Sequence, residues 1–135
     1  MVPKICDATM KAALDAAAPP TEHIRYAIYC RFAPDSLRLT PDRQQSFVGV
    51  TEHGTLVAVR FSPDAKPEVT VISLLALKKA RIIGAFGRYL IHISFFVGHL
   101  QQEFTILASG SSFRDTLPRQ TEQLEGFVQT LRKLT

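Results

Sequence analysis

A mainly β domain with flanking helices is predicted by three features of this sequence. Apolar residues alternate with their neighbours from Glu22 to Phe32, the period-two pattern of a half-buried strand. Gly, Pro, Asp and Ser cluster between the alternating runs and place tight turns. The last segment switches to helical spacing. Roughly six to eight antiparallel strands fit between the two ends. No helices alternate with the strands, which sets aside doubly wound α/β folds.

The N-terminal segment, 4–17, reads as a short helix. Cys6, Met10, Ala13, Leu14 and Ala17 fall on one face, and "APP" at 18–20 ends it. That face is thin and mostly alanine, so the helix must dock on the domain or on a second subunit. In the first strand, Ile24, Tyr26, Ile28, Cys30 and Phe32 alternate with Arg25, Ala27, Tyr29 and Arg31. A turn-rich connection with Pro-Asp at 34–35 and 41–42 follows, with a short edge strand expected at Leu37–Leu39. "SFVGVT" and "TLVAVRF" flank "EHG" as a hairpin, Gly54 supplying the positive φ of the turn.

After the turn "SPDAKPE", the strands are "VTVISLL", "KKARII", "RYLIHISFFV" and "QEFTILAS". "GAFG", "GH" and "GSS" make the turns around them. The closing helix puts Leu124, Phe127, Val128, Leu131 and Leu134 on one face, with Pro118 suited to its first turn. Gly126 lies inside the helical pattern and costs about 1 kcal/mol against Ala. Either the helix backbone closely approaches the sheet there, or the glycine is a bland surface residue.

Composition narrows the function classes. The chain has 135 residues, a 46% apolar and 21% charged content, a net charge of +4 and a pI near 9.3. That is one domain with one core, ordinary for a soluble globular protein. The division expected is 1–20, a helix with a Pro-Pro linker, and 21–135, the folded domain. The segment 89–102 is free of Asp, Glu, Lys and Arg over about 14 residues, short of the 18–20 that a membrane helix needs. The N-terminus carries Asp7, Lys11 and Asp15 where a signal peptide needs an apolar run. A cytoplasmic location follows as the expectation, with peripheral membrane contact as an option. Cys6 and Cys30 fit no metal spacing and read as free thiols.

Catalytic signatures are missing. His23, His53, His92 and His99 are scattered, so no metal site is expected. His92 and Cys30 could meet across strands, but a structural histidine is the simpler reading. There is no G-x-S-x-G and no phosphate-binding loop. Ser109, Ser111 and Ser112 stand where a β-turn belongs. No cofactor is expected. The charge is small for a dedicated nucleic-acid binder.

The order of these segments resembles that of the bacterial PH-like domains, which share the pleckstrin-homology superfold; GRAM domains stand next within it. "HIRYAIYCRF" is similar to their first strand, "FVGVTEHGTLVAVRF" to their central hairpin and "ISLLALKKARI" to the segment after it. "GRYLIHI" matches a short strand after a Gly-bearing turn. "ASGSSFRDTLPRQTEQLEGFVQTLRKL" is similar to their strand–Gly–strand–helix ending. The resemblance spans roughly residues 22–134. It implies a half-open barrel of about seven antiparallel strands capped by the C-terminal helix. It also implies a binding or assembly module rather than an enzyme, with a tendency to form oligomers.

One stretch concentrates the functional question. "VISLLALKKARIIGAFGRYLIHISFFVGHLQQ", 71–102, holds Lys78, Lys79, Arg81 and Arg88 and no Asp or Glu. These four are the candidate anion or lipid contacts, with Arg81 and Arg88 expected near the tip of one hairpin. The alternative is a solvated face that keeps a sheet edge from aggregating. The phosphoinositide pattern of PH domains is not reproduced by Arg31, Arg38 and Arg43. "SFFV" and "YLI" are apolar on both faces, so the second face needs a cover. Phe95 and Phe96 are therefore the candidate interface. The leading expectation is a non-enzymatic module that self-associates or binds a protein partner. The alternative is a peripheral binder of anionic lipid surfaces, and an enzyme with an unrecognised site comes third.

Overall fold

The computed structural model describes residues 3–34, 45–62, 65–111 and 113–134. The edge strand expected at Leu37–Leu39, together with Arg38, Arg43 and Ser112, lies outside the described residues. Helix α1 (Asp7–Ala17) leads into β1 (Ile24–Pro34), β2 (Gln45–Thr51), β3 (Thr55–Ser62) and β4 (Ala65–Ser73). A single 3₁₀ turn, Leu74–Ala76, connects to β5 (Leu77–Ala85), β6 (Arg88–Val97) and β7 (Leu100–Ser109), and α2 (Gln120–Arg132) closes the chain. The seven strands form one antiparallel sheet in the order β4-β3-β2-β1-β7-β6-β5. β4 and β5 are its edges.

Most of the expected elements are present, with three differences. Leu74 and Leu75, read as the end of the strand "VTVISLL", lie in the 3₁₀ turn. β4 begins at Ala65, inside the stretch read as a turn, because Arg60 pairs with Glu68 and carries the ladder outward. "FRDTL", where the resemblance implies a strand after the glycine, forms turns. Phe113 there has φ 53°, a left-handed conformation that breaks an extended chain.

Period-two alternation sends side chains to two faces with different covers. The inner face carries Ile28, Val48, Leu56, Ile91 and Phe95 against Leu124, Phe127, Val128 and Leu131 of α2. At Gly126 α2 comes close against Tyr26 of β1. A Cβ there would sit 2.1 Å from Cε1 of Tyr26, so close approach, not a surface position, explains the glycine.

Among the described residues the outer face is covered on one half only. α1 lies across β1, β2 and β3 and packs Met10 and Leu14 with Phe47, Val57, Val59, Phe61 and Leu117. This is the cover that the thin alanine face required. α1 does not extend over β5–β7. There the outer row includes Ile83, Phe96 and Leu107, at 48%, 48% and 36% exposure.

Where β1 and β7 diverge, a side chain takes over from the ladder. Their pairing runs from Pro34↔Phe104 to Arg31↔Leu107. Two positions further on, the Gln120 amide accepts from Tyr29 N–H at 3.1 Å and donates to the carbonyls of Tyr29 at 2.8 Å and Ser109 at 3.3 Å. Gln123 Oε1 accepts from Ala27 N–H at 3.0 Å. The start of α2 is thus wedged into the sheet and satisfies buried backbone groups that would otherwise be costly.

Candidate functional site

The bare half of the outer face is where the cationic stretch lies. β5 and β6 pair with Arg81↔His92, Ile83↔Leu90 and Ala85↔Arg88, so these residues share the outer face. Arg81 and Arg88 are therefore on one face, but four residues apart along it. At about 3.4 Å per residue and about 4.8 Å between strands their Cα atoms are roughly 14 Å apart. The expected pairing of these two near the tip is corrected by this register.

Lys78 lies beside the irregularity between Leu77 and Lys79, towards the opposite end of the sheet. Its Nζ donates to Gln101 Oε1 at 2.9 Å and stands 5.1 Å from the centroid of the Phe96 ring. Lys79 is exposed at the β5 edge. Lys78, Lys79 and Arg81 thus follow the β5 edge, where cations keep a sheet from pairing, and Arg88 stands apart at the start of β6, so the four form no single cluster.

Phe95 is corrected as an interface residue. It is fully buried on the inner face, edge-on to Phe104 with ring centroids 6.5 Å apart. Adjacent strand residues point to opposite faces, so only Phe96 of this pair is available outside. Phe96, Val97 and Leu100 are exposed together at the β6–β7 end.

The tip of the β5–β6 hairpin is a two-residue turn, Phe86-Gly87, with φ values of 54° and 75°. Such turns favour Asn-Gly or Gly-Gly. A phenylalanine held there loses about 1–2 kcal/mol from the left-handed conformation. It recovers nothing from packing, since Phe86 is fully exposed at 104%. Phe113, the other non-glycine residue with positive φ among those described, lies in the neighbouring β7–α2 turn, 46% exposed. The two turns are joined by Gly110 N–H donating to the Gly87 carbonyl at 2.9 Å.

Two clefts open on this surface. One, of about 340 Å³, is lined by Tyr29, Arg31, Arg88, Leu107, Ser109 and Ser111, among others. The other is lined by Ile83, Phe86, Arg88, Leu107, Ser111 and Arg114, among others. Arg88, Leu107 and Ser111 belong to both. Among the described residues neither lining contains an Asp or Glu. Arg31, Arg81, Arg88 and Arg114 make no ion pair with a described residue. Sequence reading singled out Arg81 and Arg88 but missed that Arg31 and Arg114 join Arg88. Only the β1–β7 pairing and the turn before α2 bring them to it.

A separate cleft of about 370 Å³ lies between α2 and the β2–β3 turn. Thr51 and Glu52 of its lining are tied into the fold. Glu22 accepts from the Thr51 and Thr55 hydroxyls at 2.6 and 2.7 Å, and Glu52 accepts from His23 N–H. The two hydroxyls hold the Glu22 carboxyl below its ordinary range.

His92 and Cys30 do not meet. His92 Nδ1 lies 3.0 Å from Thr105 Oγ1 on the outer face, whereas Cys30 is buried in the inner core, where desolvation pushes its thiol up strongly. Among the described residues no three His, Cys, Asp or Glu side chains are grouped to hold a metal ion. No described helix is long and apolar enough to cross a membrane, which says nothing of spanning strands. Compared with known proteins, the chain matches no family model, no curated protein and no solved structure.

Proposed function

We propose that this protein is a non-enzymatic, PH-like binding module that docks on anionic lipid surfaces through the β5–β6 tip and the outer face beside it. The strand order, the terminal helix against β1 and the order of the sequence segments support the PH-like assignment. One observation carries the lipid reading. An unpacked Phe86 is held at positive φ on a hairpin tip, beside Arg88 and Arg114, and no carboxylate among the described residues lines the adjoining clefts. A cationic apolar face repels a second copy of itself and attracts an anionic one.

The energies suit reversible contact. Arg81, Arg88 and Arg114 contribute about 1 kcal/mol each at an anionic bilayer, and burying the Phe86 ring contributes about 2 kcal/mol. The sum of about 5 kcal/mol corresponds to a dissociation constant of order 0.1–1 mM. The test is co-sedimentation with phosphatidylglycerol and phosphatidylcholine vesicles at low and physiological salt. Binding should require the anionic lipid, fall with salt, and fall in Phe86→Ser and in Arg81→Glu/Arg88→Glu. Equal binding to both vesicle types, or none to either at low salt, would sink the reading.

Self-association has its own support at the other end of the sheet. Phe96, Val97 and Leu100 form an exposed apolar group at the β6–β7 end. A particle mass above that of one chain in light scattering, reduced by Phe96→Asp, would establish it.

A further inference from the structure

We infer that the cleft between β1, β6 and the β7–α2 turn is a seat for a phosphomonoester. Such a group would turn the general attraction of this face into selective recognition. The inference deepens the proposed function and rests on it only for the source of the phosphate, a lipid headgroup rather than a free one.

The donors come from three places in the chain. Arg31 is on β1, Arg88 opens β6, and Ser109 and Ser111 bracket Gly110 at the end of β7. Arg31 pairs with Leu107, and Leu107 with Leu90, while Arg88 pairs with Ser109. The two arginines therefore flank β7 on one face, and both side chains line the cleft. Two cations sharing a cleft to which no described residue adds a carboxylate repel each other until an anion enters. Two guanidinium groups with hydroxyl donors between them suit the three terminal oxygens of a phosphomonoester. A phosphodiester offers only two such oxygens, and a planar carboxylate presents its two in one direction.

The floor is already rigid. Gln120 holds the carbonyls of Tyr29 and Ser109. The Tyr29 ring is edge-on to Phe47 and Phe113 at 6.5 and 4.9 Å between centroids. Ser109 Oγ and Ser111 Oγ are 3.0 Å apart, so one hydroxyl donates to the other and the second proton remains to point at a ligand. A seat built this way needs little reorganisation on binding. Its volume of about 340 Å³ is at the small end for ligand sites, suited to a headgroup.

The test has a soluble arm and a vesicle arm. Glycerol 3-phosphate is titrated into the full chain while amide and arginine Nε resonances are followed. Wild type should show saturable shifts at Ser109, Ser111, Arg31 and Arg88. Arg31→Gln and Arg88→Gln should each weaken binding about tenfold or more, the loss expected for one charge-assisted hydrogen bond. Vesicles of phosphatidic acid should bind more tightly than phosphatidylglycerol vesicles matched for surface charge, and Arg31→Gln should abolish that preference. Phe86→Ser should weaken binding to both vesicles and leave the glycerol 3-phosphate titration unchanged. Absence of shifts at these four residues, with the fold intact by circular dichroism, would overturn the seat. So would equal affinity for the two charge-matched vesicles. Phosphatidylglycerol binding without the preference would leave membrane docking standing and remove the seat. Saturable shifts without vesicle binding would keep the seat and remove the membrane.

Discussion

Replacing Gln120 by Leu tests whether the start of α2 completes the sheet. The side chain is 2% exposed and makes three hydrogen bonds to strand backbone, at 2.8, 3.1 and 3.3 Å. Leucine has similar volume and no polar atoms, so packing is nearly kept while Tyr29 N–H and the two carbonyls lose their partner. A net hydrogen bond contributes about 1 kcal/mol, and a buried group left unpaired costs about 1–3 kcal/mol. The Ser109 bond is long and its carbonyl lies near the surface, so the expected loss is about 3 kcal/mol, mostly from Tyr29. For a domain of this size that lowers Tm by about 12 °C. Gln123→Leu removes a single bond, to Ala27 N–H, and should cost about 1 kcal/mol. Urea unfolding measures both, and amide exchange at Tyr29 should quicken in Gln120→Leu alone. A loss below about 0.5 kcal/mol, or equal losses for the two variants, would refute the reasoning.

Gly126→Ala should destabilise although alanine favours helices by about 1 kcal/mol. Its Cβ would meet the Tyr26 ring at 2.1 Å, and adding Tyr26→Ala should restore the helical gain in a double-mutant cycle. Of the two thiols, Cys6 should react quickly with a disulfide reagent and Cys30 only on unfolding. Cys6 is lowered by its hydrogen bond with Thr9, at 3.1 Å, and is partly exposed, whereas Cys30 is buried; equal rates would contradict this. Acid should weaken the fold through Glu22. Its folded pKa is depressed, so its contribution is full above the ordinary carboxylate range and is lost as pH falls through the lower folded value. Glu22→Gln should flatten that part of the stability–pH curve, and an unchanged slope would dismiss the role.

Alternation and helical spacing are local properties, and they carried much of the architecture. Ile24 to Phe32, the hairpin around Gly54 and the Leu124–Leu131 face each specify their own element, because the side-chain period follows from backbone geometry. The sequence by itself also concentrated cations without anions on 71–102 and required a cover for a doubly apolar sheet. Which half of the sheet received that cover was decided only in three dimensions. α1 docks on β1–β3 because Phe47, Val57 and Val59 meet Met10 and Leu14 there, contacts between segments more than thirty residues apart. The same holds for the cleft. Arg31 and Arg88 come together only because β7 inserts between β1 and β6, and no spacing within either strand encodes that order. Gln120 could not be read as structural because a glutamine on a helix is ordinarily a solvated residue. It becomes part of the sheet only where β1 and β7 part and leave backbone groups to satisfy.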